Sequence, residues 1–539
     1  MAAGITPHRN AALTLAAMTL SSSMILVDQT AVPLATADVL ADLGGAVGEG
    51  QWILTANILP LAALMVFGGR LGDLLGLRRV FLAGALTFMA ATAVAGGAQD
   101  LPMMIAARAV QGAGAALMMP TAVAITSAVY PGDQRGRALG ILAGGSAFFA
   151  ALGPVLGGLL TSLDWRLVFL VNVPLAAITV LLTLSATPSL RPAGDSRPRI
   201  DYPGTLTFGL GIAALVFGLS QGQADGWGSP TTVIPLVGAL AFLVAFVLIE
   251  LRATFGLLDF RLFRHLNFLA ANLSQLLAGA IELGLGFLLP FYLLLVIGIS
   301  PAAAGIALIP ATIPIVLAGP LAGRAFDRIG GRIPLVAGYL VLAASGLALA
   351  AGVGEQTVGA LIPGLVLQGL GLGVVLTVND PTGLGAVPPD AQGTAAGTID
   401  TTEQLGGALG IAGLTAIEIG AAERITVERL ADRGIEPTAQ QIDRFEEFIL
   451  RAEQAGRGQT PVDTRVVRAA VEENVLAHVD SFRITFLTSV GIALVGALVC
   501  FVLVRREDRF YAGPVFGRRS RWVSTHAGAS PAVTRHPPS

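Results

Sequence analysis

The chain has 539 residues, of which 54% are hydrophobic and only 13% charged, against about 25% charged in an ordinary soluble domain; its mean hydropathy is +0.74. Its solvent is therefore mostly lipid, and because backbone polar groups must be satisfied inside a bilayer, the recurring apolar runs of about 20 residues read as helices rather than barrel strands. One cysteine, five histidines without ligand spacing and no lysine at all exclude an intrachain disulfide and a Walker-type phosphate loop and offer no metal cluster, so no metal, nucleotide, cofactor or nucleic acid is expected.

The first run, 12–35, follows Arg9 and precedes Ala35-Thr36-Ala37, the outline of a signal peptide. Its length, its Asp28 and the many runs behind it make it a membrane span instead. Further spans are predicted at 52–69, 80–97, 103–129, 139–163, 167–187, 203–220, 231–249, 267–298, 301–322, 333–351, 357–385, 393–419 and 484–504. Fourteen spans put both termini on one side. The loops on that side hold Arg70, Arg78, Arg79, Arg135, Arg137, Arg191, Arg197, Arg199, Arg252, Arg261, Arg264, Arg324, Arg328 and Arg332, while the short loops opposite hold only Arg166. That asymmetry, with Arg505 and Arg506 closing the last span, places the termini in the cytoplasm of an inner (plasma) membrane protein.

Two turns share one pattern, G-R-x-x-D-x-x-G-x-R: Gly69, Arg70, Asp73, Gly76 and Arg78 (with Arg79) in the first, Gly323, Arg324, Asp327, Gly330 and Arg332 in the second, 254 residues on. Each follows the second span of a set of six, as parallel duplication would leave it. The expected organisation is a six-helix bundle over 1–190, a linker with two additional, peripheral spans over 191–264, and a second six-helix bundle over 265–510. The polar stretch 421–480 is expected as a small cap of two amphipathic helices on the outer side, with starts near Thr438 and Thr460 and an apolar stripe of Ile442, Phe445, Phe448 and Ile449. It could tether the last span or form a lid. Residues 511–539, rich in Arg, Pro, Ser and Gly, read as a disordered tail.

A charge inside hydrocarbon costs about 2.5–3.5 kcal/mol on the insertion scale, so those retained in spans are candidates for function. Asp28 and Arg108 stand at similar depth in the first and fourth spans; a pair between them would be either a proton-sensitive coupling switch or a permanent tie between helices. Glu282, Asp400 and Glu403 have no basic partner within the spans of their half and are expected either to carry protons or to attract cationic substrates. Asp400 and Glu403, three apart, share a helix face. The two Gly-Asp-Gly turns allow tight connections and could latch one end of the protein in one state, or their arginines could merely set topology. In span five, Gly153, Pro154, Gly157 and Gly158 combine a missing donor with small residues, fitting either a functional bend or close packing.

With these residues placed, the chain resembles the major facilitator superfamily, and within it the fourteen-span drug/proton antiporter family. The turn Gly69 to Val80 resembles the superfamily's hallmark loop, Arg108 with Gln111, Gly112 and Gly114 its fourth-span proton-transfer motif, and Gly153-Pro154 through Gly158 the antiporter motif. Asp28-Gln29-Thr30, Asp164-Trp165-Arg166 to Asn172-Val173-Pro174, and Gln404 to Gly410 are similar to further signatures. The resemblance implies an all-α polytopic fold of two six-helix bundles plus two inserted helices, alternating access, and roles for Asp28 and Arg108 in proton coupling. It departs at Asn57, where an aromatic residue is common, and at Asp400 and Glu403. The function it implies is proton-driven efflux of amphipathic or lipophilic small molecules by a secondary transporter, with protons, the substrate and the lipid bilayer as partners and a monomer as the working unit. An exporter specialised for lipids or siderophores is the alternative. A membrane-embedded enzyme such as an acyltransferase is weaker, for want of a His-Asp or Ser-His constellation.

Overall fold

A computed structural model describes residues 7–44, 50–130, 134–189, 201–224, 226–253, 256–258, 260–299, 301–388, 391–432 and 465–505. The chain is all-helical: α1 (Pro7–Leu43), α2 (Gly50–Leu75), α3 (Leu77–Gly96), α4 (Leu101–Val129), α5 (Arg135–Leu163), short α6 (Arg166–Leu170) running into α7 (Asn172–Ala186), α8 (Tyr202–Ala224) and α9 (Pro230–Glu250). There follow α10 (Leu266–Phe291), short α11 (Pro301–Ala307), α12 (Ile309–Ile329), α13 (Arg332–Gly352), α14 (Val358–Leu384), α15 (Gln392–Asp432) and α16 (Arg465–Leu503). Thirteen helical stretches among the described residues are long and apolar enough to cross a membrane. The 29-residue α5, packed along α1 and α12, supplies the fourteenth expected span.

Local chemistry sets several of the boundaries. Asp100 accepts the Met103 amide at 2.8 Å and Pro102 follows it, starting α4. Gly76 (φ 100°) and Gly330 (φ 82°) reverse the chain in the two repeated turns, in a backbone region that a Cβ disfavours. The halves pack reciprocally: α2, second of its half, lies against α15, fifth of the other, and α5 lies against α12 in the same exchange.

Lipid gives apolar helices no hydrophobic reason to associate, so close approach and dispersion must hold these seams. Gly69 faces Gly393 and Gly136 faces Gly323 backbone to backbone; a Cβ on any of the four would run into the opposite carbonyl. Both seams are tight at the arginine-rich end, the end bearing Arg70, Arg78, Arg324, Arg328 and Arg332. There the first bundle's core takes in Phe268, Ala271, Leu384, Ala395 and Ile399 from the second half.

Two expectations change. The inserted pair α8 and α9 is not merely peripheral: α8 lies across the seam, against both α2 and α15, with Phe217 stacked on Trp52 at 5.7 Å. In the stretch 421–480 the described residues form no separate cap. They continue the spans themselves, α15 to Asp432 and α16 from Arg465, tied by Arg429 to Asp480 at 2.5 Å and by Glu418 to His478 at 2.7 Å and Ser481 at 2.8 Å. The predicted helix starts at Thr438 and Thr460, the stripe from Ile442 to Ile449, the loop arginines Arg191, Arg197 and Arg199, Arg506 and the tail lie outside the described residues.

Candidate functional site

At the arginine-rich end the two repeated aspartates do the same thing. Asp73, at the end of α2, accepts the amides of Gly393 and Thr394 at 2.7 Å each and the Thr394 hydroxyl at 2.6 Å. Asp327, at the end of α12, accepts the amides of Gly136 and Arg137 at 3.0 and 3.1 Å. Each carboxylate thus caps the first turn of the opposite half's fifth helix, where unpaired N–H groups and the helix dipole favour a negative charge. The arginines beside them differ. Arg70 lies near Asp73, Arg78 donates to the Leu184 carbonyl at 2.7 Å near the end of α7, Arg79 is exposed, and Arg332 lies over the Phe501 ring at 4.4 Å.

Deeper in the first half, α1, α2 and α4 enclose a polar knot. One Arg108 nitrogen, Nη1, donates to Asp28 Oδ2 at 2.5 Å and to Gln111 Oε1 at 2.6 Å; Gln111 Nε2 donates to Asp28 Oδ1 at 3.0 Å. Arg108 Nε donates to the Ile53 carbonyl at 3.0 Å. Asn57, at the aromatic position of the resembled family, donates to the Arg108 carbonyl at 3.4 Å. Asp28 and Arg108 are each 1% exposed, so the charge of each is neutralised almost wholly by the other and by these dipoles. The antiporter-motif glycines seat α1 beside this knot. At Gly153 a Cβ would strike the Thr30 hydroxyl, and at Gly157 it would meet the Ala31 backbone at 2.8 Å. Thr30 itself bonds across to the Ala150 carbonyl at 2.9 Å. Pro154 lies within α5, and Gly158 faces open space, so the packing role belongs to Gly153 and Gly157. The Asp164-Trp165-Arg166 signature holds the far end of α1: both Trp165 Nε1 (3.1 Å) and Arg166 (3.0 Å) reach Asp42.

The second half arranges its charges otherwise. Glu403 of α15 interacts electrostatically with Glu282 of α10, Asp380 of α14 and Asp400 of its own helix, and Asp400 also with Asp380. Gln275 donates to Glu403 and accepts from Asn379 at 2.6 Å. Glu282 Oε2 and Asp400 Oδ2 are buried without a hydrogen-bond partner. Among the described residues no arginine or histidine pairs with any of the four. The structure thus gathers Glu282, Asp400 and Glu403 and adds Asp380, which the sequence reading did not single out. The same signal was available: a carboxylate inside an apolar run, in Asn379-Asp380-Pro381.

Comparison with known proteins agrees with this architecture. Residues 13–411 match the model of the Major Facilitator Superfamily. The puromycin resistance protein pur8 of Streptomyces alboniger is 36% identical over 428 residues, 77% of this chain and 82% of that protein. The cephamycin export protein CmcT of Amycolatopsis lactamdurans is 36% identical, over 73% of this chain and 82% of that one. The multidrug resistance protein Stp of Mycobacterium tuberculosis is 30% identical over 76% of each. Among solved structures, the human organic anion transporter MFSD10 matches 92% of this chain and all of that one with a TM-score of 0.59 at 15% identity, a likeness of fold.

Proposed function

Since the chain belongs to the Major Facilitator Superfamily and is a multi-pass membrane transporter rather than an enzyme, we propose that it exports amphipathic or lipophilic small molecules in exchange for protons, by alternating access. Efflux rests on its relatives, whose names record puromycin resistance, cephamycin export and multidrug resistance. Proton exchange rests on one observation: four carboxylates, Glu282, Asp380, Asp400 and Glu403, share a region inside the bilayer, and among the described residues no cation pairs with them. Such a group cannot stay fully ionised in a low dielectric, so protons or a cationic substrate must supply the missing positive charge in turn. Competition between the two for one set of oxygens is antiport.

The positive-inside rule puts the arginine-rich end in the cytoplasm of the plasma membrane. With both aspartate caps made, that mouth is held shut; breaking them frees the two bundles to rock about the central seams. In the shut form Asp28 is held by Arg108 and Gln111, and a proton arriving from outside would release Arg108 to other partners. A proton moving inward down the membrane potential supplies about 2.3 kcal/mol per 100 mV, enough to drive a modest concentration ratio without a nucleotide.

The test uses everted vesicles energised by a proton gradient, to which lipophilic cations and neutral compounds are added in turn. Dissipation by wild type that is lost in Asp28→Asn or Glu403→Gln establishes antiport and begins to assign the carrier. Absence of dissipation across both panels, with the protein verified in the membrane, sinks the proposal.

A further inference from the structure

A cavity of about 620 Å³ opens at the arginine-rich end of the second bundle, between the starts of α10 and α13 and the ends of α12, α14 and α16. Its two kinds of wall are unlike. Ile333, Leu340 and Phe501, exposed by 61%, 51% and 56%, make an apolar flank turned to the surrounding lipid. Arg332 and Arg505 line it, and among the described residues no carboxylate does. Arg505 is launched from a fixed point, because Asn267 accepts its backbone amide at 2.6 Å and donates to its carbonyl at 2.8 Å.

The first bundle supplies a comparison. Arg78, the counterpart of Arg332 in the repeated turn, donates to the Leu184 carbonyl at 2.7 Å, near the end of that half's sixth span. Arg332 has the same place relative to α16 but rests flat over Phe501 at 4.4 Å, and among the described residues no carbonyl or carboxylate takes its hydrogen-bond donors. Its fork of N–H groups is therefore available to a phosphate.

We propose that this cavity binds one anionic phospholipid from the leaflet at that end, with the phosphate on Arg332 and Arg505 and an acyl chain along Ile333, Leu340 and Phe501. Both halves of the site are needed for such a ligand: two guanidiniums at headgroup depth for charge, and an apolar flank open sideways to hydrocarbon. A soluble anion would have no use for that flank, and a neutral lipid none for the arginines. Phe326, next in sequence to Asp327, forms part of the cavity wall, so the bound lipid lies against the turn that caps α5.

The full-length protein, titrated with phosphatidylglycerol or with phosphatidylcholine of the same chains, is examined by native mass spectrometry; the readout needs no transport and stands apart from the antiport proposal. Wild type is expected to retain one phosphatidylglycerol under activation that strips phosphatidylcholine. The double variant Arg332→Gln/Arg505→Gln should lose that preference by on the order of tenfold or more, and Ala337→Trp, which fills the cavity from a lipid-facing position with both arginines in place, should lose it too. Arg328→Gln, an exposed arginine of the same turn outside the cavity, should keep it. Equal retention of the two lipids by wild type, retention by both cavity variants, or a loss in Arg328→Gln as large as in the double variant would each overturn the proposal.

Discussion

The two bundles share a chain path and treat buried charge in opposite ways. In the first, one carboxylate, Asp28, meets one arginine, and Gln111 bonds to both. In the second, four carboxylates share a region with no cation paired to them among the described residues, and two of their oxygens have no hydrogen-bond partner there. The tight turns and the aspartate caps that join the halves occur in both. The charges inside differ. A paired charge is a structural investment that resists change, whereas an unneutralised group is open to whatever cation arrives.

The largest expected effect separates these two roles. Arg108→Gln strands Asp28 in the bilayer, which should cost about 3–5 kcal/mol and lower the melting temperature of the detergent-solubilised protein sharply; adding Asp28→Asn should recover much of it. Glu403→Gln removes a charge that nothing compensates and keeps an oxygen for Gln275, so its melting temperature should stay level or rise while proton-coupled transport falls. A sharp loss of stability in Glu403→Gln would erase the contrast between the bundles.

A smaller effect tests what the bundles have in common. Asp73→Asn and Asp327→Asn each weaken a charged helix cap worth about 1 kcal/mol, which should shift the population toward the form open at the arginine-rich end by roughly fivefold. Spin labels placed across the α2–α15 and α5–α12 seams would report it as a longer distance, similar for the two variants. A shift in one variant alone would mean that the caps are not equivalent.

The last pair of variants, in α5, ends on the smallest effect of all. Gly157→Leu should push α1 from its seat beside the Asp28 knot, at about 1–3 kcal/mol for overpacking. Gly158→Ala, with nothing near its Cβ position, should fall within about 0.5 kcal/mol of wild type. Thermal melting and export assays on the pair check whether the motif acts through Gly153 and Gly157, as the contacts require, or through all its residues alike.

Much of this site was legible in the sequence, because charge in an apolar run stands out and similar depth suggested the meeting of Asp28 and Arg108. Asp380 escaped because it lies four residues before the end of α14, where a linear reading cannot tell interface from interior. The long continuations of α15 and α16 escaped because polar residues within 421–480 read as a separate unit, although helices can run on past the membrane where a neighbour covers them.

By itself the sequence determined an all-helical chain with many membrane spans, the two repeated turns and the family, since hydropathy and motif spacing are properties of short windows. Only the tertiary structure decided the partners: that Asp73 caps a helix 320 residues away and Asp327 one 191 residues back, that α8 bridges the seam, and that four carboxylates from three helices meet. Those contacts depend on angstrom-scale distances between segments remote in sequence, and the rotation of each helix about its axis, set by small residues at the seams, selects which side chains come together.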